Sequence, residues 1–186
     1  MKIAIVVGSI REGRVGSSVG SWVLESLGHR DDATFELVEL ADHHLPLFTS
    51  RTLPAAAKGH YDDPAAQAWG DTIARFDGYI FVTPEYNHGI PGAFKNAYDT
   101  LGVEWQHKAV AFVSYGANDG VRAVEQWRQV VANASMFAVR ASVGLSLFSE
   151  FGHGGLRPSD RRTGELAAMA DQLVAAARAM ATLRAK

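Results

Sequence analysis

Short apolar runs, each followed by a polar loop and then a helix, recur along this chain and leave few folds open to it. Residues 2–7 (Lys-Ile-Ala-Ile-Val-Val), 78–83 (Gly-Tyr-Ile-Phe-Val-Thr) and 108–114 (Lys-Ala-Val-Ala-Phe-Val-Ser) are apolar at successive positions rather than alternate ones. Strands of that kind are buried on both faces, as in a parallel sheet with helices on either side. Residues 34–40 alternate like a strand, and a fifth strand is expected within 138–148. Helices are expected at about 17–27, 64–75 and 91–101, then through Val121, Val124, Trp127, Val130 and Val131, and finally at 165–183. Ala65, Ala68, Trp69 and Ile73 mark the apolar face of the second. Strands interleaved with helices predict an α/β fold. Residues 41–61, with Pro46, Pro54 and little periodicity, read as a long loop. Loop 149–161, with Gly152, Gly154, Gly155 and Pro158, reads as mobile or functional. Nothing in the composition marks a linker, a repeat or a low-complexity tract, so residues 1–186 are expected to form a single domain.

Charge and composition narrow the function. The net charge of −2 on 186 residues provides no basic field for nucleic acid or anionic lipid. Lys and Arg are scattered, and the one adjacent pair, Arg161-Arg162, reads as a solvated face. The absence of cysteine excludes disulfides, thiolate catalysis, zinc–thiolate sites and iron–sulfur clusters. A strand pattern from residue 2 leaves no room for a signal peptide. No apolar run approaches the roughly 20 residues of a membrane helix. A cytoplasmic protein without membrane insertion is expected.

Two loops carry the chemistry. The first, Gly8-Ser9-Ile10-Arg11-Glu12-Gly13-Arg14-Val15-Gly16-Ser17-Ser18, joins the first strand to the first helix. Helix amino termini offer unpaired N–H groups and the positive end of the dipole, which suit a phosphate. Gly8, Gly13 and Gly16 let backbone approach closely, the serines donate hydroxyls, and Arg11 and Arg14 supply charge. A serine-capped helix entry is the plainer reading, but the density of donors favours phosphate. The loop lacks the Gly-Lys-Ser/Thr ending of nucleoside-triphosphate loops and the full dinucleotide fingerprint. Gly16-Ser17-Ser18-Val19-Gly20 matches the nucleophile-elbow pattern of hydrolases. That elbow follows a strand directly, whereas Ser18 is expected inside the first helix.

The second loop, Pro84-Glu85-Tyr86-Asn87-His88-Gly89-Ile90-Pro91-Gly92, follows the most apolar strand. Loops at the carboxyl ends of parallel strands are where ligands sit. An aromatic, a carboxylate, an amide and two prolines suit a flat polar ligand held rigidly.

In order and position, Gly8-Ser9-x-Arg11, Pro84-Glu85-Tyr86-Asn87 and Lys95-Asn96-Ala97-x-Asp99 resemble the motifs of the NAD(P)H-dependent FMN reductase and quinone reductase family. The resemblance covers residues 1 to about 150. It implies a flavodoxin-like three-layer sandwich with a five-stranded parallel sheet in the order 2-1-3-4-5. It also implies FMN as cofactor and NADPH or NADH as co-substrate. Ser9, Arg11, Ser17 and Ser18 would hold the phosphate. Pro84, Glu85, Tyr86, Asn87 and Gly89 would frame the isoalloxazine ring, with Ser114, Tyr115 and Gly116 closing its other side. Backbone N–H groups of 115–120 would face flavin N1. The acceptor would be a quinone, azo compound, metal oxyanion such as chromate, or free flavin, and no side chain is required as acid or base. Many family members carry serine and asparagine where Arg14 and Gly16 stand, and often serine where His88 stands. A homodimer or homotetramer is implied, with Phe94 and Trp127 available to an interface and the neighbour's Trp105 or loop 149–157 bordering the flavin. The alternative is a non-enzymatic flavin-binding electron carrier or regulator.

Several residues have plainer readings. Lys95 and Asp99, at i and i+4, read as a surface pair, and His88 as a hydrogen-bonding loop residue. His43-His44 beside Asp42 gives no ligand geometry, so no metal is expected. Trp69, Trp105 and Trp127 read as core or subunit-interface residues.

Overall fold

In the computed structural model, which describes residues 1–185, the main sheet comprises β1 (Lys2–Val7), β2 (Thr34–Glu39), β3 (Gly78–Pro84), β4 (Ala109–Gly116) and β5 (Phe137–Ser146). All neighbours are parallel, in the expected order β2-β1-β3-β4-β5. The helices are α1 (Gly16–Leu27), α2 (Pro54–Ala57), α3 (Pro64–Ala74), α4 (Gly92–Asp99), α5 (Val121–Ala132) and α6 (Asp160–Arg184). β3 and β4 are buried along their whole length, as their unbroken apolar runs require. The chain passes from β1 to β2 on one side while β3 pairs on the other. Their carboxyl ends therefore open a crevice at the point where strand order reverses.

Two cores sandwich the sheet. On one face Val19, Val23 and Leu27 of α1 and Leu166, Met169, Leu173 and Val174 of α6 pack over Ile3, Ile5, Val7, Ile80, Val82 and Val113. On the other, α3, α4 and α5 enclose an aromatic cluster around Phe81, whose ring centroid lies 4.9 Å from Phe94 and 5.1 Å from Trp127. Trp69, Trp105 and Trp127 are all fully buried in this cluster. Their indole N–H groups donate to Ala97 O, Tyr98 O and Thr83 Oγ1, respectively. Phe94 and Trp127 are thus spent inside the protomer and are not interface residues. Nor does Trp105 reach outward to border a neighbour's site.

Several boundaries differ from the sequence reading. On α3 the buried residues are Ala66, Trp69, Gly70 and Ile73, while Ala68 is exposed. Alanine on both flanks makes either face acceptable, and close approach at Gly70 to Tyr61 and Leu101 decides it. β4 runs on through Gly116, so Tyr115 and Gly116 belong to the strand rather than to the loop that follows it. Loop 149–161 contains a small hairpin, β6 (Phe151–Gly152) with β7 (Gly155–Leu156). α6 begins at Asp160, five positions before the expected start at 165, and its 25 residues are long and apolar enough to cross a membrane by length and composition alone. Here one stripe of it packs on the sheet, which accounts for the alanine-rich run.

Candidate functional site

The loops after β1, β3 and β4 meet at the crevice. The loop after β1 begins at Gly8, whose N–H donates to Val82 O (3.0 Å). A Cβ there would lie 1.8 Å from Phe94 Cδ1, so glycine serves packing at this position. Ser9 is 1% exposed, and its hydroxyl lies 2.9 Å from the Tyr86 hydroxyl, joining the first loop to the loop after β3. α1 follows, with Val15 at its N-cap and no side chain capping its first turn. Such a turn has open amides for an anion. Ser17 is half-buried in that turn, whereas the Ser18 hydroxyl donates back to Val15 O (2.7 Å). Ser18 thus satisfies its own helix, and as the third residue of α1 it is no nucleophile elbow.

The two arginines of this loop part company. Arg11 is exposed and donates to carbonyls of its own loop, Glu12 O at 3.0 Å and Gly13 O at 3.5 Å. Arg14 instead reaches the carboxylate of Glu39 at the end of β2 (3.3 Å), while its Nε is buried without a partner. Counting both arginines as charge for a phosphate therefore overstates the loop; Glu39 offsets the second.

The loop after β3 closes into a four-residue turn. Tyr86 N donates to Gly89 O (3.1 Å) and Gly89 N to Tyr86 O (2.9 Å). Asn87 and His88 take φ of 51° and 64°, the pattern of a type I′ turn. Gly89 itself has no positive φ. A Cβ on it would stand 3.1 Å from Gln126 Oε1, so its role is clearance to α5 rather than backbone freedom. Gln126 grips this turn by donating to His88 O (3.0 Å) and accepting from Ile90 N (3.2 Å). Glu85 is the second grip. Its carboxylate accepts from Arg122 N (3.0 Å) and from the Arg122 guanidinium (2.9 Å), capping the start of α5. The carboxylate is therefore an anchor for the loop and is not free to face a ring. Tyr86 stays 39% exposed beside the crevice.

The third edge is the end of β4. Glu85 N donates to Tyr115 O (3.1 Å), and Leu147 N donates to Gly116 O (3.0 Å). The Ser114 hydroxyl is buried and donates to Asp119 O (2.6 Å), which ties down the turn before α5. In that turn Asp119 N and Val121 N are taken up by Gly116 O and Asn118 O (both 3.3 Å). Tyr115 does not close a ring site with its side chain. Strand alternation sends it to the α1 face, among Val7, Val19 and Phe151.

The third motif is structural. Lys95 and Asp99 form the expected exposed pair (2.6 Å). Asn96 tethers the long segment before α2, its Oδ1 accepting from Phe48 N and its Nδ2 donating to Pro46 O, both at 2.9 Å. Between that segment and α4 runs a groove of about 420 Å³, bordered by Ile10, His44, Leu45, Leu47, Ala93 and Asn96. His43 packs edge-on to Trp69 at 4.7 Å, a core role rather than a ligand's. Replacing Lys95 with alanine should leave cofactor affinity unchanged and cost under about 0.5 kcal/mol of stability, as for other exposed i, i+4 pairs. Cofactor titration and a urea melt check both.

Sequence reading missed Arg122, Gln126, Glu39 and the Tyr115 hydroxyl. Only Arg122 left a local signal: a cation in the first turn of a helix opposes the dipole unless a carboxylate meets it.

The donor set suits a phosphate monoester joined to a flat heteroaromatic. Open first-turn amides and buried hydroxyls lie at one end of the crevice, and a stiff, anchored turn lies at the other. Comparisons with known proteins agree. The profile of the NADPH-dependent FMN reductase family matches residues 1–150. An NAD(P)H-dependent FMN reductase of Nectria is 43% identical over 129 residues, covering 67% of this chain and 64% of that one, a little under two thirds of the relative's length. One from Schizosaccharomyces pombe is 34% identical over 146 residues, covering 78% and 73%. Among solved structures, the flavoenzyme NAD(P)H:(acceptor) oxidoreductase FerB of Paracoccus denitrificans superposes with a TM-score of 0.71 at 19% identity, covering 92% of this chain and 96% of that one.

Proposed function

The chain belongs to the NADPH-dependent FMN reductase family, and from that premise we propose that it is an FMN-containing oxidoreductase that passes electrons from NADPH or NADH to a small acceptor such as a quinone, azo compound, metal oxyanion or free flavin. When bound, FMN supplies the two-electron chemistry, so the protein needs no acid–base side chain of its own and contributes position and electrostatics. The amides opening α1, with Ser9, Ser17 and Arg11, bind the phosphate. The turn at 84–89 sets the plane of the ring, stiffened by Pro84 and held to α5 by Glu85 and Gln126. Among the polar groups that turn retains for a ligand are the Asn87 side chain, the His88 imidazole and the amides of Asn87 and His88. Across the crevice, the turn after Gly116 offers the amides of Ala117, Asn118 and Gly120, which suit developing negative charge on a ring.

One observation carries the reading: a hydrogen-bonded contact from Ser9 to Tyr86 brings the phosphate loop and the ring loop to a single crevice at the strand-order reversal. Tyr86 is placed to border the face a nicotinamide would approach, and the groove beside Ile10 offers an acceptor a way in. The test is the visible spectrum of the purified protein together with steady-state NADPH oxidation using menadione. A two-banded oxidised-flavin spectrum with acceptor-dependent turnover is expected. Bound flavin without turnover would make the protein an electron carrier or regulator, and colourless protein that binds no added FMN would end the proposal.

The same reading includes a homodimer or homotetramer in the cytoplasm. Exposed Phe148 and Leu53, 81% and 67% accessible, are apolar residues suited to a contact between copies. Sedimentation of a monomer at micromolar concentration with full flavin content would remove the oligomer.

A further inference from the structure

Tyr115 is 5% exposed, yet it lies next to the end of β4 with its hydroxyl beside the start of α1 rather than in the core. The position is exact enough to constrain a neighbour. A Cβ on Gly16, the first residue of α1, would lie 2.7 Å from the Tyr115 hydroxyl oxygen, so the missing side chain is what admits the hydroxyl. Ser9 stands next to it and is shared, its hydroxyl lying 2.9 Å from that of Tyr86 and within hydrogen-bonding reach of Tyr115. The Tyr115 ring itself is satisfied by packing against Val7, Val19 and Phe151. Phenylalanine would serve that packing equally well, so the hydroxyl is spare to the fold; it is not a buried orphan and can donate at the crevice. Its direction, into an uncapped helix terminus of twelve residues, accounts for its presence.

We infer that Tyr115 is a phosphate-binding residue, donating its hydroxyl to a phosphate monoester seated on the first turn of α1 and thereby selecting phosphorylated flavin over riboflavin. The inference rests on the FMN reading above and reassigns Tyr115 from the ring to the opposite end of the cofactor. Ser9 and Tyr115 then form a pair of hydroxyls on the sheet side of the phosphate, with Arg11 on the solvent side. Burial pushes the Tyr115 phenol above its ordinary range, reinforced by Tyr86 and Glu39 and opposed by Ser9 and the charge of Arg11. The hydroxyl consequently keeps its proton across the neutral range and stays a donor.

The experiment is titration of apoprotein with FMN and with riboflavin, comparing wild type with Tyr115→Phe, and phosphorus NMR of bound FMN. Tyr115→Phe should weaken FMN binding about 10-fold, the effect of losing one hydrogen bond to a charged group. It should leave riboflavin affinity and the melting temperature unchanged and should move the phosphorus resonance. Gly16→Ala, which crowds the hydroxyl, should also weaken FMN selectively, and it should add little on the Tyr115→Phe background. Equal losses for both ligands, or unchanged FMN affinity because the hydroxyl holds only water, would overturn the inference while leaving the FMN reading intact. A wild-type protein that binds neither ligand would instead overturn the FMN reading itself.

Discussion

Alanine at position 8 is expected to cost at least the 1–3 kcal/mol typical of overpacking, with loss of FMN binding in the same variant. The added methyl would sit 1.8 Å from Phe94 Cδ1 and 2.4 Å from Cε1, well inside contact distance. Phe94 has nowhere to go. Its ring is wedged 4.9 Å from Phe81 and 4.8 Å from Trp127, and it is wholly buried. The backbone must shift instead, and Gly8 is both the last residue bonded toward β3, through Val82 O, and the first of the phosphate loop. Urea unfolding of apoprotein should show a clearly lower midpoint, and titration should show weaker FMN binding. Gly8→Ala combined with Phe94→Leu should recover part of the stability by returning space. An unchanged midpoint in the single variant would mean that Gly8 is not packed as described.

Arg11→Ala is expected to weaken FMN binding by about 10- to 100-fold, the worth of one charge-assisted hydrogen bond to phosphate, and to leave riboflavin binding untouched. Contrast within the loop sharpens the expectation. Arg11 bonds only carbonyls of its own loop, whereas Arg14 is paired with Glu39. Arg14→Ala should accordingly cost less FMN affinity than Arg11→Ala. Titrating the two variants in parallel tests the order, and a larger loss at Arg14 would show that the Glu39 pair opens when phosphate binds. Equal loss of FMN and riboflavin in Arg11→Ala would remove Arg11 from the phosphate.

What could be read from the sequence divides along physical lines. Wholly apolar β1, β3 and β4 declare two-sided burial, so the parallel sheet follows from composition alone. The phosphate loop and ring loop are contiguous, so their presence is visible too. Partnerships across the fold are not. Glu85 looks like a free carboxylate in its own loop, and only the docking of α5, 37 positions away, shows that Arg122 and the α5 terminus take it up. Tyr115 looks like a loop residue because Gly116 follows it, yet the strand continues through it and sets its ring on the same face as Val113. Gly8, Gly16 and Gly89 invite a reading in terms of flexible backbone, whereas none of them has a positive φ and each makes room for a particular atom. The turn strain lies at Asn87 and His88 instead. Glycine in a sequence announces that space or conformation is needed, and only the neighbours say which.

The two grips of α5 on the ring loop also bear on how such a protein can change over time. Gln126 and the Glu85–Arg122 pair tie the loop to α5 at two points, so substitutions there disturb the seat of the cofactor and the start of a core helix together. The wall of the groove opposite hangs largely from Asn96, which bonds the main chain of Pro46 and Phe48 and reads none of their side chains. Leu47, exposed beside the groove, is therefore free to be exchanged while the tether and the cofactor seat persist, whereas Leu45 packs against the core. On the proposed function, a scaffold divided in this way can drift from one electron acceptor to another through a single mutable wall, without relearning how to hold its flavin.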